Sequence, residues 1–185
     1  MDATSRKMKS AVPRFLWRNK SGQALVEFSL VLLTLVLLVF CLMDFCVAIY
    51  EKQLLVNLSR EAANLEARGI GQSPAQIMAN ALSAIEQEAT PLNLSSASGK
   101  VILTAVTNNG TGKMFISQQV SGGGLSQSSR IGSMGVGQPV TLPNTNLVQV
   151  GGTCYVAEIF YLYKPPAPIK FVGSSSVFYD VAYFQ

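Results

Sequence analysis

From Phe28 to Met43 the chain reads FSLVLLTLVLLVFCLM, 16 residues without a charge. As an α-helix such a run is ~24 Å long at ~1.5 Å per residue. Extended to Ala24 on one side and Tyr50 on the other, it reaches the roughly 20 mostly apolar residues that cross a bilayer. The extension encloses two carboxylates, Glu27 and Asp44. The segment therefore reads as a candidate membrane anchor. The chain of 185 residues then has room for one compact domain besides. Its 13% of charged residues falls below the usual ~25% because the apolar excess is concentrated in this one stretch.

Charge is placed as sharply as apolarity. Residues 1–22 hold Arg6, Lys7, Lys9, Arg14, Arg18 and Lys20 against Asp2 alone. Of the 14 basic and 10 acidic residues in the chain, eight and nine remain for the rest. The net +4 and the pI near 9.1 therefore belong to the N-terminus. A basic chain raises the question of nucleic acid. Basic residues placed directly before an apolar run instead follow the positive-inside pattern of membrane segments. The arrangement predicts a cytoplasmic N-terminus, contact with membrane lipid, and no nucleic-acid partner.

Three kinds of N-terminal segment compete. A secretory signal peptide has an apolar core of about 7–15 residues and a small-x-small cleavage site. Here the core is longer, and the nearest approach, Cys46-Val47-Ala48, runs into Tyr50-Glu51 without a turn former. Bulky Phe40 and Phe45 precede Cys41 and Cys46 and make poor lipoprotein sites. A plain single-pass anchor accounts for everything except Glu27. An acid at a helix centre costs about 2.5–3.5 kcal/mol on insertion scales, and less near the interface.

The third reading uses Glu27. Ser21-Gly22-Gln23-Ala24-Leu25-Val26-Glu27-Phe28, behind a basic leader, resembles the processing site of type IV prepilins. The resemblance implies cleavage after Gly22 by a prepilin peptidase on the cytoplasmic side, a new N-terminus at Gln23, and Glu27 as the fifth mature residue. Cleavage would remove the six basic residues, which resist extraction from the membrane, and would create an α-ammonium. Glu27 could neutralise that ammonium, or a neighbour's, in a low-dielectric setting and so set subunit register. Gly22 to Phe28 followed by Ser29-Leu30-Val31-Leu32 is similar to the start of TadE-like proteins of the tight-adherence (Tad, type IVc) pilus system. Arg60-Glu61-Ala62-Ala63 with Gly69, and Glu158 to Pro166, resemble later parts of that family, whereas Asn64-Leu65-Glu66 departs from its small, basic pattern. The resemblance implies a non-enzymatic minor pilin acting in pilus assembly, initiation or adherence. Its partners would be the peptidase, other major and minor pilins, and the assembly platform of the bacterial inner membrane. Its later domain would be periplasmic and then exposed on the pilus or cell surface. The alternatives are an uncleaved single-pass envelope protein that scaffolds another complex, a membrane-tethered enzyme or ligand-binding domain, for whose pocket the sequence offers no candidate residues, and a type II secretion pseudopilin.

The division that follows is a leader over 1–22, a transmembrane helix over 23–50, an amphipathic continuation over 51–69, and an exported domain over 70–185. Tyr50, Leu54, Leu58, Ala62 and Leu65 recur at helical steps and predict a stripe that seats the domain. Gly69 and Gly71 would end the helix. Ser73-Pro74-Ala75-Gln76 starts a second helix over about 74–89, and Pro91 stops it. Val101 to Val106, Lys113 to Val120, Asn146 to Tyr163 and Ser176 to Phe184 read as strands. Asn108-Asn109-Gly110 reads as a turn, Gly151-Gly152 as a break, and the Gly/Ser-rich stretch from Gly122 to Gly137 as a mobile surface loop. Pro165, Pro166 and Pro168 end the third strand. The expected class is α+β: a long apolar helix, a short helix and a small, mostly antiparallel sheet.

Chemistry-bearing patterns are scarce. The chain has no histidine, which removes Ser-His and Cys-His catalysis and histidine metal sites. Gly110-Thr111-Gly112-Lys113 lacks the first glycine of a phosphate loop, since position 107 is Thr. Glu86 and Glu88 fall on different sides of a helix and form no catalytic pair. Cys154, alone between Thr153 and Tyr155, reads as a buried structural residue. No cofactor or metal follows from the sequence.

Overall fold

The computed structural model describes residues 20–69, 73–110, 113–166 and 175–185. The leader before Lys20, together with Gly71 and Pro168, lies outside the described residues. Helix α1 spans Lys20–Ala67 and α2 spans Pro74–Glu88. Strands β1 (Gly99–Asn108), β2 (Met114–Gly122), β3 (Thr153–Tyr163) and β4 (Ser176–Phe184) follow, with a short 3-10 turn at Thr145–Leu147 before β3. The chain divides between Val39 and Phe40 into two compact units.

The first unit, where described, is helix alone. Its apolar side chains point outward all round: Leu25, Phe28, Val31, Leu33 and Leu35 are each more than half exposed. The helix is long and apolar enough to cross a membrane.

In the second unit, residues of α1 after Phe40 and helix α2 lie on one face of a four-stranded sheet of order β2-β1-β3-β4, antiparallel throughout. The α+β expectation is borne out. Alternation along the strands sends Val101, Leu103, Ala157, Ile159 and Ala182 toward the helices. There they join Leu55, Leu58, Ala62, Ala81 and Ile85 in one core. The opposite face presents Val106, Cys154 and Val156. Residues 123–150 cover it, contributing Ile131, Leu142 and Val148.

Local signals explain the elements. Ser73 caps α2 through a reciprocal pair with Gln76, behind which Pro74 sets the first turn. The end of α1 meets α2 so closely that a Cβ on Gly69 would collide with the Ile77 side chain. A bulge falls between Ala105 and Val106 opposite the extra residue Ser117, whose hydroxyl donates to the Ala105 carbonyl at 3.0 Å. Gly110 takes a φ of 84° after Asn108, whose side-chain oxygen accepts the Gly110 N–H.

Two expectations are corrected. The buried line of α1 is Leu55, Leu58, Ser59, Ala62, Ala63 and Glu66, whereas Tyr50 is 53% exposed and Leu54 and Leu65 are only half-buried. The stripe read from apolarity shares Leu58 and Ala62 with this line, and Leu54 and Leu65 pack against the same core; it misses Ser59 and Glu66 because they are polar. The third strand begins at Thr153, since Gly151 adopts φ 77° and ends any extended run before it. The Gly/Ser-rich stretch is a surface loop as expected, in which Ile131 is buried; just after it Gln138 and Val140 bond the edge of β2.

Leu55 is fully buried between helix and sheet. Leu55→Ala should cost about 2–5 kcal/mol through the cavity it leaves, read as a lowered midpoint in denaturant melts.

Candidate functional site

The residues singled out for processing lie on the first turns described for α1. Gly22 is exposed, and nothing stands within 4 Å of where a Cβ would be. Gln23 and Glu27 are one helical turn apart, and the Gln23 Nε2 donates to the Glu27 Oε1 at 2.9 Å. The helix thus brings Gln23 and Glu27 together and leaves Gly22 accessible. Around them are lipid-type side chains, Leu25, Val26 and Phe28, all strongly exposed. The pairing follows from i,i+4 spacing.

Three carboxylates in the second unit were not singled out from the sequence. Glu158 on β3 is fully buried. Its Oε1 accepts the Arg130 N–H at 2.8 Å and the Tyr179 hydroxyl at 3.0 Å, and its Oε2 accepts the Ser129 hydroxyl. The Arg130 guanidinium lies 4.2 Å from the centroid of the Tyr179 ring. Burial, then the charge of Glu158 and its hydrogen bond, hold the Tyr179 phenol well above the usual range. The cluster fastens the cover loop to the sheet.

Asp180 on β4 accepts the Ser59 hydroxyl at 2.5 Å and pairs with the Lys52 ammonium at 3.3 Å. Lys52 also donates to the Tyr179 carbonyl at 2.6 Å. These contacts join the last strand to the first helix.

Glu66 is different. It is fully buried, and among the described residues neither of its oxygens has a hydrogen-bond partner. Desolvation raises its pKa to about 9. The Cys154 thiol is also pushed up, first by its own burial and further by the charge of Glu66. Cys154 is buried in the core facing the cover loop, which excludes an exposed nucleophile. Among the described residues no cluster of His, Cys, Asp or Glu could hold a metal ion. Only the acidic letters of Glu66, Asp180 and Glu158 were visible in sequence; the burial of Glu66 and Glu158 depends on the sheet that packs around them, and Asp180 meets Ser59 and Lys52 from more than a hundred residues away.

Residues 22–64 match the family model described as TadE-like protein. The resemblance stated from the sequence is borne out over those residues, which begin at Gly22 and take in Glu27 and Arg60 to Ala63. Gly69 and the segment from Glu158 to Pro166 lie outside the match. No curated protein and no solved structure matches the chain.

In the folded state Glu66 keeps its proton up to about 9, whereas an unfolded carboxyl releases it near 4.5. Between those values the folded chain binds the extra proton. This contribution to stability is therefore complete below about pH 4.5 and is lost as pH rises toward 9. The melting temperature of the detergent-solubilised chain should fall across that window. Glu66→Gln should flatten the decline, and an unchanged slope in the variant would exclude Glu66 as its source.

Proposed function

We propose that the chain is a minor pilin of a tight-adherence type IV pilus, inserted with its N-terminus in the cytoplasm and trimmed between Gly22 and Gln23 by a prepilin peptidase. The observation that carries this reading is the family match, which opens at Gly22 and whose first part, residues 22–39, is apolar helix with no buried side chain. A helix bare on every side needs lipid or other helices around it. Other pilins in the inner membrane, and the assembly platform that moves them, supply both.

Cleavage converts the Gln23 nitrogen from a peptide N–H to an ammonium, on the residue whose side chain already reaches Glu27. The new charge and the Glu27 carboxylate can then neutralise each other or their counterparts on a neighbouring helix. In an apolar bundle that match is directional: a subunit slipped along its neighbour leaves both charges unpaired. The protein acts as a peptidase substrate and a structural subunit, and its sheet domain faces the periplasm.

Intact-mass and N-terminal analysis of the protein from its native membranes tests the reading. A mature chain should begin at Gln23. Gly22→Leu should leave the leader attached without disturbing the fold, because the space beside Gly22 is open. Glu27→Gln should be processed normally yet assemble poorly, since removing one partner of a buried ion pair costs about 3–5 kcal/mol. A chain that keeps its leader beside an active prepilin peptidase would leave an uncleaved anchor.

A further inference from the structure

A four-stranded sheet has two edges, and here each is protected along only half its length. On β2, Pro139 bridges Phe115, and the N–H of Val140 and the carbonyl of Gln138 bond Met114 and Ile116. The half from Gln118 to Gly122 has no such cover among the described residues. On β4, the Lys52 ammonium takes the outward Tyr179 carbonyl, a common guard for an edge strand. Beyond it, Asp180 to Phe184 has no outer backbone partner among the described residues. No residue of β4 is fully buried, although it carries Phe178, Tyr179, Tyr183 and Phe184.

The two open halves lie at the same level. Across the sheet, Gly122, Val101, Ile159 and Asp180 form one row, and Gln118, Ala105, Tyr155 and Phe184 form another. An even number of antiparallel strands makes β2 and β4 antiparallel to each other. A second copy displaced sideways by four strand spacings, about 19 Å, therefore brings its open β2 half against the open β4 half with no slip. Because the Tyr179 carbonyl points outward, alternation turns the backbone of Val181 and Tyr183 outward too. The same alternation, from pairings in which Val101, Leu103 and Ala105 bond β2, turns Ser121 and Gln119 outward.

The flanks agree in chemistry. Beside the open half of β4 runs a groove lined by Arg60, Asn64, Ala182 and Phe184. The Asn64 Oδ1 is buried there without a donor among the described residues. Beside the open half of β2, the Glu86 carboxylate borders Gly122, and Gln118 brings an amide donor on the helix side of the sheet.

We propose that the open half of β4 is a docking edge for the open half of β2 of a second copy of this chain. Val181 faces Ser121, Ala182 faces Val120 and Tyr183 faces Gln119 in one antiparallel ladder, with Arg60 meeting Glu86 across the join.

The inference uses the membrane-anchor reading and is independent of cleavage after Gly22, which mass analysis of the same samples reports separately. Within one chain Ala182 and Val120 are three strands apart, about 14 Å, too far for a disulfide. The test is disulfide formation in native membranes, in a background with Cys41, Cys46 and Cys154 replaced by Ala. Ala182→Cys and Val120→Cys, carried on two differently tagged copies, should give a mixed disulfide dimer, and neither variant alone should give one. Arg60→Glu should reduce the dimer severalfold, and adding Glu86→Arg should restore it. Val181→Pro, which removes an outward N–H, should abolish the dimer while leaving the melting temperature of the chain within a few degrees. Dimers from Ala182→Cys alone would mean a two-fold join of β4 edges and overturn the proposal. So would a mixed pair that never cross-links, or a dimer that survives Val181→Pro.

Discussion

The second unit depends on how residues 51–67 of α1 sit against the β3–β4 half of the sheet. Most of the holding energy is apolar, from Leu55, Leu58 and Ala62 packed on Ala157, Ile159 and Ala182. Small residues on both sides let helix and strand approach, but small apolar surfaces specify rotation weakly. Asp180 supplies what they lack. A charge-assisted bond such as that from Ser59 is worth about 1.5–3 kcal/mol. The Lys52 pair, with Lys52 40% exposed, adds at most about 1 kcal/mol. The pair of contacts fixes which line of α1 faces the sheet, and that line then carries Glu66 into the core.

The opposite face of the sheet is closed by a segment with little regular structure. Its glycines and serines cannot bury enough apolar surface to order it unaided, and Ile131, Leu142 and Val148 provide only three buried anchors. Glu158 compensates by collecting a hydroxyl and a backbone N–H from that segment and a phenol from β4. The cover loop and the edge strand are thereby fastened to the same carboxylate, which couples the order of one to the position of the other.

Elements set by local chemistry were legible in the sequence. The apolar helix, the capped start of α2 at Ser73-Pro74, and β4 from Ser176 to Phe184 each stand on signals within a few residues of one another, and the structure reproduces them. The seat of the domain on α1 was legible only in part, through Leu58 and Ala62. Apolar periodicity favoured Tyr50 and Leu54, while the line actually buried contains Ser59 and Glu66, whose burial depends on the sheet that arrives from more than thirty residues later. The Gly/Ser-rich segment was legible as a surface loop, but its tie to the sheet was not: composition reports what a stretch can bury by itself, and Glu158 lies outside the stretch. At the N-terminus the reverse holds. Gly22, Gln23 and Glu27 form a local pattern, so sequence brought them together before the helix did.

A carboxylate can persist in a low-dielectric setting by hydrogen bonds, by a proton, or by a counter-charge. For Glu158 and Glu66, both fully buried in one domain, this chain uses the first two. Glu158 is surrounded by donors. Glu66 has none among the described residues and keeps its proton instead. The two solutions differ in what they demand of the rest of the molecule. Donors must be built into the fold, as Ser129, Arg130 and Tyr179 are, whereas a proton comes from solvent and makes stability depend on pH. Glu27 is left with the third solution on the reading proposed here, and neither of the others would serve it as well. A helix bare on all sides offers no fold from which to supply donors beyond the single amide of Gln23. A protonated acid would be neutral and indifferent to register along an apolar neighbour. A counter-charge generated by cleavage is the one solution that ties the comfort of the carboxylate to the position of another helix.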